Sequence, residues 1–232
     1  MTAFAAVIAV SVALAGCAEE RAPAPTPIDL PGVSLNGDGS LLIATVFDMA
    51  TTGGAEVAGT ELAVREINAE GGVLGSPVVA LHRNSAGDPA ALGAELVGRG
   101  TDAVLWDGAG APAAELLAAL ESTGTAVLSL RDIVTGTPAT PDDAFAARLR
   151  TADPGLAAMD GGAGGYDAVM LLALAAAAAG ADGGASLVSR LGAVSTGTVE
   201  CVGWGACAAA IADEQSIRYL GESGPIEPPV TG

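Results

Sequence analysis

Between residues 41 and 130 short apolar runs alternate with amphipathic stretches, and this rhythm leaves few folds open. The apolar runs are LLIATVF (41–47), SPVVALHR (76–83), TDAVLWD (101–107) and TAVLSL (125–130). Each pair is separated by a segment with helix punctuation. In TTGGAEVAGTELAVREINAEGG (51–72) Val57, Thr60, Val64 and Ile67 share a face. Glu61 and Arg65 form an i,i+4 pair on the opposite side, and Gly71 and Gly72 end the helix. DPAALGAELVGRG (88–100) opens with Asp88 as N-cap and Pro89 at the first helical position. APAAELLAALESTG (111–124) also places a proline at its start. Strands joined by helices in this way are βαβ units, which require a parallel sheet covered on both faces. The predicted fold is a three-layer α/β/α parallel sheet.

After Leu130 the rhythm stops. RDIVTGTPATPDD (131–143) holds two prolines and no period, and reads as a connection. DAFAARLR (143–150) is a short amphipathic helix, with the acids at 142 and 143 as its caps. YDAVMLLALAAAAAG (166–180) is apolar almost all round. At about fifteen residues it is too short for a bilayer, so it belongs in a core. SIRYLG (216–221) reads as a strand. Only 3% of residues are aromatic, so the core is built of Ala, Val and Leu, which suits helices lying close to a sheet.

The N-terminus addresses the compartment. AFAAVIAVSVALAG (3–16) is small and apolar throughout, the length of a secretory h-region. Leu14-Ala15-Gly16-Cys17 resembles a bacterial lipobox, which makes residues 1–16 a signal peptide and Cys17 the lipidation site. The following polar, proline-rich segment (17–35) is a tether from that lipid anchor. The expected location is extracytoplasmic, with the membrane reached through lipid alone. Of three cysteines, Cys201 and Cys207 are then left in an oxidising compartment.

Several chemistries are excluded or disfavoured by composition. The formal charge of −18 repels nucleic acid. All nine basic residues are arginine, so neither a Walker A lysine nor a Schiff-base lysine exists. His82 is the single histidine and has no nucleophile motif to serve, and no glycine-rich stretch completes a dinucleotide fingerprint. NGDGS (36–40) lacks the downstream glutamate of an EF-hand loop and reads as a turn. No enzyme, cofactor or metal reading survives.

GDGSLLIATVFDMATTGG, AGTELAVREINAEGGVLGSPV and SAGDPAAL together resemble the first lobe of type 1 periplasmic binding proteins. The branch is that of the leucine/isoleucine/valine-binding lipoproteins of ABC importers, with AVREINAEGGVLGSPV as the most telling run. RLRTADPGL, YDAVMLLALAAAAAG and ESGPI resemble the C-terminal part of the same family, including its paired cysteines. The resemblance implies a lobe built from residues 36–130, a connection at 131–142 standing where the family has most of its second lobe, and a helical part, 143–232, packing back on the first. It implies a solute-binding lipoprotein whose partners are a small amino acid and an ABC permease. The alternative is a truncated, non-transporting lipoprotein acting as a structural or partner-binding module.

Open parallel sheets bind ligands at the carboxyl ends of their strands. The candidate contacts are Gly108, Gly110 and Ala111 after the third strand and Ser129 after the fourth. The family's hydroxyl in the third-strand loop is replaced here by Gly110 or Ala111, which leaves backbone donors. Tyr166 matches a family tyrosine near the cleft. Tight turns, capping and packing are the competing roles for these residues. CVGWGAC (201–207) lacks both a histidine partner and C-x-x-C spacing, which disfavours zinc and thioredoxin-like chemistry. A Cys201–Cys207 disulfide is expected, contributing about 2 kcal/mol at most.

Overall fold

A computed structural model describes residues 37–108, 110–133, 141–224 and 226. The expected signal peptide, Cys17 and the tether lie outside the described residues, as do residues 134–140 of the connection. The four apolar runs form strands β1 (Leu42–Phe47), β2 (Val79–Asn84), β3 (Ala103–Trp106) and β4 (Ala126–Ser129). They pair in the order β2-β1-β3-β4, and every pairing is parallel. The protein is thus α/β, with the expected parallel sheet flanked by helices.

Helices α1 (Gly53–Ala69), α2 (Pro89–Gly98) and α3 (Ala114–Glu121) are the crossovers. Alternation along each strand splits the apolar residues between two faces. Ala44, Val46 and Val104 pack with Leu92, Leu96, Leu116 and Leu120 of α2 and α3. Ile43, Phe47, Leu105 and Leu128 face the larger core on the other side, with α1. The caps behave as the sequence implies: Asp88 accepts from the Ala91 N–H at 2.7 Å, with Pro89 at the start of α2. Asp142 does the same for Phe145 at 2.7 Å, opening α5 (Asp143–Ala152). The short α4 (Leu130–Ile133) follows β4 directly.

Helix α6 (Gly162–Ala179) is the spine of the larger core and packs on α1 and on α7 (Gly184–Ser195). It is long and apolar enough to cross a membrane, yet most of it is buried in the protein. It starts four residues before Tyr166, within a glycine-rich stretch that the sequence pattern leaves outside the helix. Close approach is the reason. A Cβ on Gly59 of α1 would lie 1.9 Å from the Gly162 carbonyl oxygen, and one on Gly165 would lie 2.2 Å from that of Glu56. The glycines exist so that two backbones can touch.

Three local expectations are corrected. The buried stripe of α1 is Ala55, Ala58, Leu62, Ala63 and Ile67, whereas Val57 and Val64 are half-buried. Small residues face the core because α6 lies so near. Arg65 binds Thr151 and Glu61 binds His82 Nε2 at 2.7 Å, so the i,i+4 pair gives way to tertiary contacts. The segment 201–207 is no simple turn. Cys201 ends strand β5 (Val199–Cys201), Cys207 lies in α8 (Gly203–Ala212), and β5 pairs in parallel with β6 (Ile217–Tyr219). The disulfide joins strand to helix with a Cα–Cα distance of 5.2 Å.

Candidate ligand cleft at the strand ends

The sheet order reverses between β1 and β3, which sends the loop after β1 to one face and the loop after β3 to the other. Such a switch point normally opens a crevice. Here side chains fill it. Asp107, the residue after β3, accepts the Asp48 N–H on Oδ2 at 2.5 Å. Glu56 of α1 is its neighbour and accepts the Thr52 hydroxyl on Oε1 at 2.9 Å. Both carboxyls are more than nine-tenths buried, and Asp107 Oδ1 and Glu56 Oε2 have no partner among the described residues. Burial pushes the Glu56 carboxyl up to about 7; the Thr52 hydroxyl pulls it down, and Asp107 raises it further by charge and by a side-chain hydrogen bond. Two bare carboxyl oxygens therefore meet in the crevice, and the Glu56 carboxyl is the one that burial and the Asp107 charge hold toward its neutral form.

The open space lies one strand over. A pocket of about 550 Å³ runs beside β3 and β4, lined by Trp106, Gly108, Gly110, Ala111, Ser129 and Arg131 among others. Four of the five candidate ligand contacts therefore come together. Trp106 organises the loop: its indole Nε1–H donates to the Gly110 carbonyl at 2.8 Å. A Cβ on Gly108 would sit 2.3 Å from the same indole nitrogen, so only glycine fits beneath the ring. Helix α3 begins at Ala114 with no side-chain cap, two residues beyond Pro112. Its first-turn N–H groups have no intrahelical partner. Ser129 Oγ accepts the Arg131 N–H at 3.2 Å, and Arg131 Nε donates to the Asp107 carbonyl at 3.4 Å. An arginine at the mouth, a hydroxyl and uncapped amides suit an anionic group such as a carboxylate.

Tyr166 lies elsewhere. It is buried under Arg148, donates to Glu66 Oε2 at 2.7 Å and accepts from Arg148 Nη2 at 2.9 Å. Phe145 meets its ring edge-on at a centroid distance of 5.4 Å. The same Arg148 binds Glu222 at 2.7 Å, so the cluster ties α1, α5, α6 and the C-terminal segment together. Sequence reasoning did not single out Trp106, Arg131 or Glu56. The aromatic at the end of a strand and the arginine two residues after Ser129 were available signals. Glu56 carried none, because only the sheet order brings it to Asp107.

No protein-family model matches the chain, and no curated protein matches it. Among solved structures it is similar to the branched-chain amino acid transporter substrate binding protein LivJ from Streptococcus pneumoniae, solved with isoleucine. That match has 28% identity and a TM-score of 0.34, over 39% of this chain. The aligned part spans 28% of the other chain's length.

Proposed function

We propose that this protein is an extracytoplasmic solute-binding lipoprotein of an ABC importer for branched-chain or related amino acids. The observation that carries the reading is the pocket where Gly108, Gly110, Ala111 and Ser129 converge at the carboxyl ends of parallel strands. Arg131 is the anion grip in this reading and the α3 amides are its second contact. The run AVREINAEGGVLGSPV supports the family, and Leu14–Cys17 supports anchorage by lipid with an ABC permease as partner. A second reading, a non-transporting partner-binding module, is favoured by one fact. All the pocket's described lining comes from β3, α3, β4 and the segments adjoining them, so no described residue faces it from an opposing element.

Calorimetric titration of the purified chain with leucine, isoleucine and valine separates the two readings. Transport predicts saturable heat and a rise in Tm. It also predicts that Arg131→Ala weakens binding about 10–100-fold, the worth of one charge-assisted hydrogen bond. Silence from all three amino acids at millimolar concentration sinks the first reading and leaves the second.

A further inference from the structure

The amino end of the sheet carries a second unbalanced group of acids. Asp102 opens β3, and its Oδ2 accepts the Leu42 N–H at 2.8 Å where β1 begins. Its own backbone N–H and carbonyl bind Leu42 and Ala126, so its position is fixed by three strands. Asp182 sits in the link between α6 and α7, just before Gly184, whose packing against the Gly124 carbonyl and the Ala126 N–H holds the link to the sheet. Asp182 is 1% exposed, and neither of its oxygens has a hydrogen-bond partner among the described residues. The turn before β1 closes over it: a Cβ on Gly37 would land 1.6 Å from Asp182 Oδ1. Asp38, exposed on that turn, spends one oxygen on the Ser40 N–H at 3.0 Å. The charges of Asp182 and Asp38 both act on Asp102. None of the three acids belongs to an ion pair among the described residues.

A buried carboxylate with two bare oxygens is among the most expensive arrangements a fold can hold. Among the described residues no arginine pairs with it, and lysine does not exist in the chain. We propose that Asp102 and Asp182 form a Ca²⁺ site, with Asp38 adding charge from the rim. The described residues bring no three His, Cys, Asp or Glu side chains together on one point, which rules out zinc-type ligation by side chains alone. Ca²⁺ is the cation that accepts few carboxylates and completes its shell with backbone carbonyls and water. Mg²⁺ holds its waters and demands a near-ideal octahedron, so it binds here more weakly. The ion clamps three separate segments: the turn before β1, the start of β3 and the α6–α7 link. None of Asp38, Asp102 and Asp182 lines the pocket, and this inference stands whether or not amino acids bind there.

The test is titration of chelator-treated full chain with CaCl₂, and with MgCl₂ at matched ionic strength, followed by calorimetry and thermal unfolding. The expected result is one Ca²⁺ per chain with a dissociation constant of about 0.1–1 mM, in the range of extracellular modules. Tm rises with Ca²⁺ and much less with Mg²⁺. Asp182→Asn removes the charge at constant shape; it raises the Tm of the ion-free chain and abolishes the Ca²⁺ response. Asp38→Asn lies on an exposed turn and leaves folding intact; it weakens Ca²⁺ binding several-fold, so the proposal stays testable if the Asp182 variant fails to fold. Absence of Ca²⁺ binding to the unaltered chain at 10 mM overturns the proposal, as does an undiminished response in Asp182→Asn. A Ca²⁺ response matched by Mg²⁺ also overturns it, since that is only charge screening.

Discussion

Two buried carboxyl groups near the amino end of α6 show what separates a structural acid from one that a site can use. Asp167, at the helix's second turn, is completely buried and fully engaged. Its Oδ1 accepts the Tyr219 hydroxyl at 2.7 Å and the Glu222 N–H at 3.0 Å; its Oδ2 accepts the Ser223 N–H at 2.7 Å and the Ser223 hydroxyl. Burial raises its carboxyl, and these four donors pull it back. Glu56, pressed against Gly161 just before α6, has one donor and one bare oxygen, beside an Asp107 in the same state. One acid closes the C-terminal segment onto the core. The other is left partly unsatisfied beside the strand ends. Around Asp167 the scaffold half is electrostatically finished; the strand-end half, at Glu56 and Asp107, is not.

The largest effect follows from removing the finished acid. Asp167→Ala leaves a tyrosine hydroxyl, a serine hydroxyl and two backbone N–H groups without their acceptor in a closed interior. The loss is on the order of 4 kcal/mol, since each buried orphan carries its own desolvation penalty. Asp167→Asn keeps one oxygen for one pair of donors and loses roughly half as much. Urea unfolding measures both. Equal, small losses for the two variants would show that water replaces the carboxylate easily, and the contrast with Glu56 would fall.

How much of this was visible beforehand depends on the range of the interaction. The sheet, its parallel sense and the caps at Asp88 and Asp142 are written locally, in apolar runs and in Asp-Pro or Asp-Asp pairs at helix starts. Gly108, Gly110, Ala111 and Ser129 were readable because they follow strands, and strand ends converge in any open parallel sheet. Tyr166 was read toward the cleft by resemblance, yet its hydroxyl turns to Glu66 and Arg148, a pairing 100 residues apart in one case. The glycines before Tyr166 fell outside the predicted helix because their purpose is contact with α1, which no local pattern records. Glu56 and Asp107 meet only because β3 pairs with β1. The same holds for Asp102 and Asp182, and the bare oxygens of Asp182 are a property of three converging segments.

The second effect reverses sign. Glu56→Gln offers an amide N–H to Asp107 Oδ1 and keeps an oxygen for the Thr52 hydroxyl, so both orphans are satisfied at once. In the unaltered chain the folded Glu56 carboxyl lies at about 7, above its ordinary 4.5. The folded state therefore binds the extra proton between those values, and stability falls as pH rises through that window and stays lower above it. The full linkage is on the order of 3 kcal/mol. Glu56→Gln is predicted to be more stable than the unaltered chain at pH 8 and nearly equal to it at pH 4.5. Chemical unfolding across pH 4–8 checks this. A parallel pH profile in the two proteins would mean that Glu56 titrates alike in the folded and unfolded chain, and the contrast with Asp167 would fall.

The smallest effect tests whether the two halves are energetically separate. Tyr166→Phe deletes one hydroxyl from a network in which Arg148 still holds Glu66 at 2.8 Å and Glu222 at 2.7 Å. The ring keeps its contact with Phe145 and its place beneath the guanidinium. The predicted loss is about 1 kcal/mol of stability, the net worth of the hydroxyl's bonds where the remaining partners stay paired. Any affinity that titration finds in the strand-end pocket stays unchanged, because Tyr166 is not among the pocket's lining residues. Parallel measurement of urea unfolding and calorimetric binding gives both numbers from one variant. A binding loss larger than the stability loss would place Tyr166 in the ligand's path after all. It would also mean that α6 transmits strain from the Arg148 cluster to the Gly161 turn, where Glu56 lies, and that the unfinished half is set by the finished one.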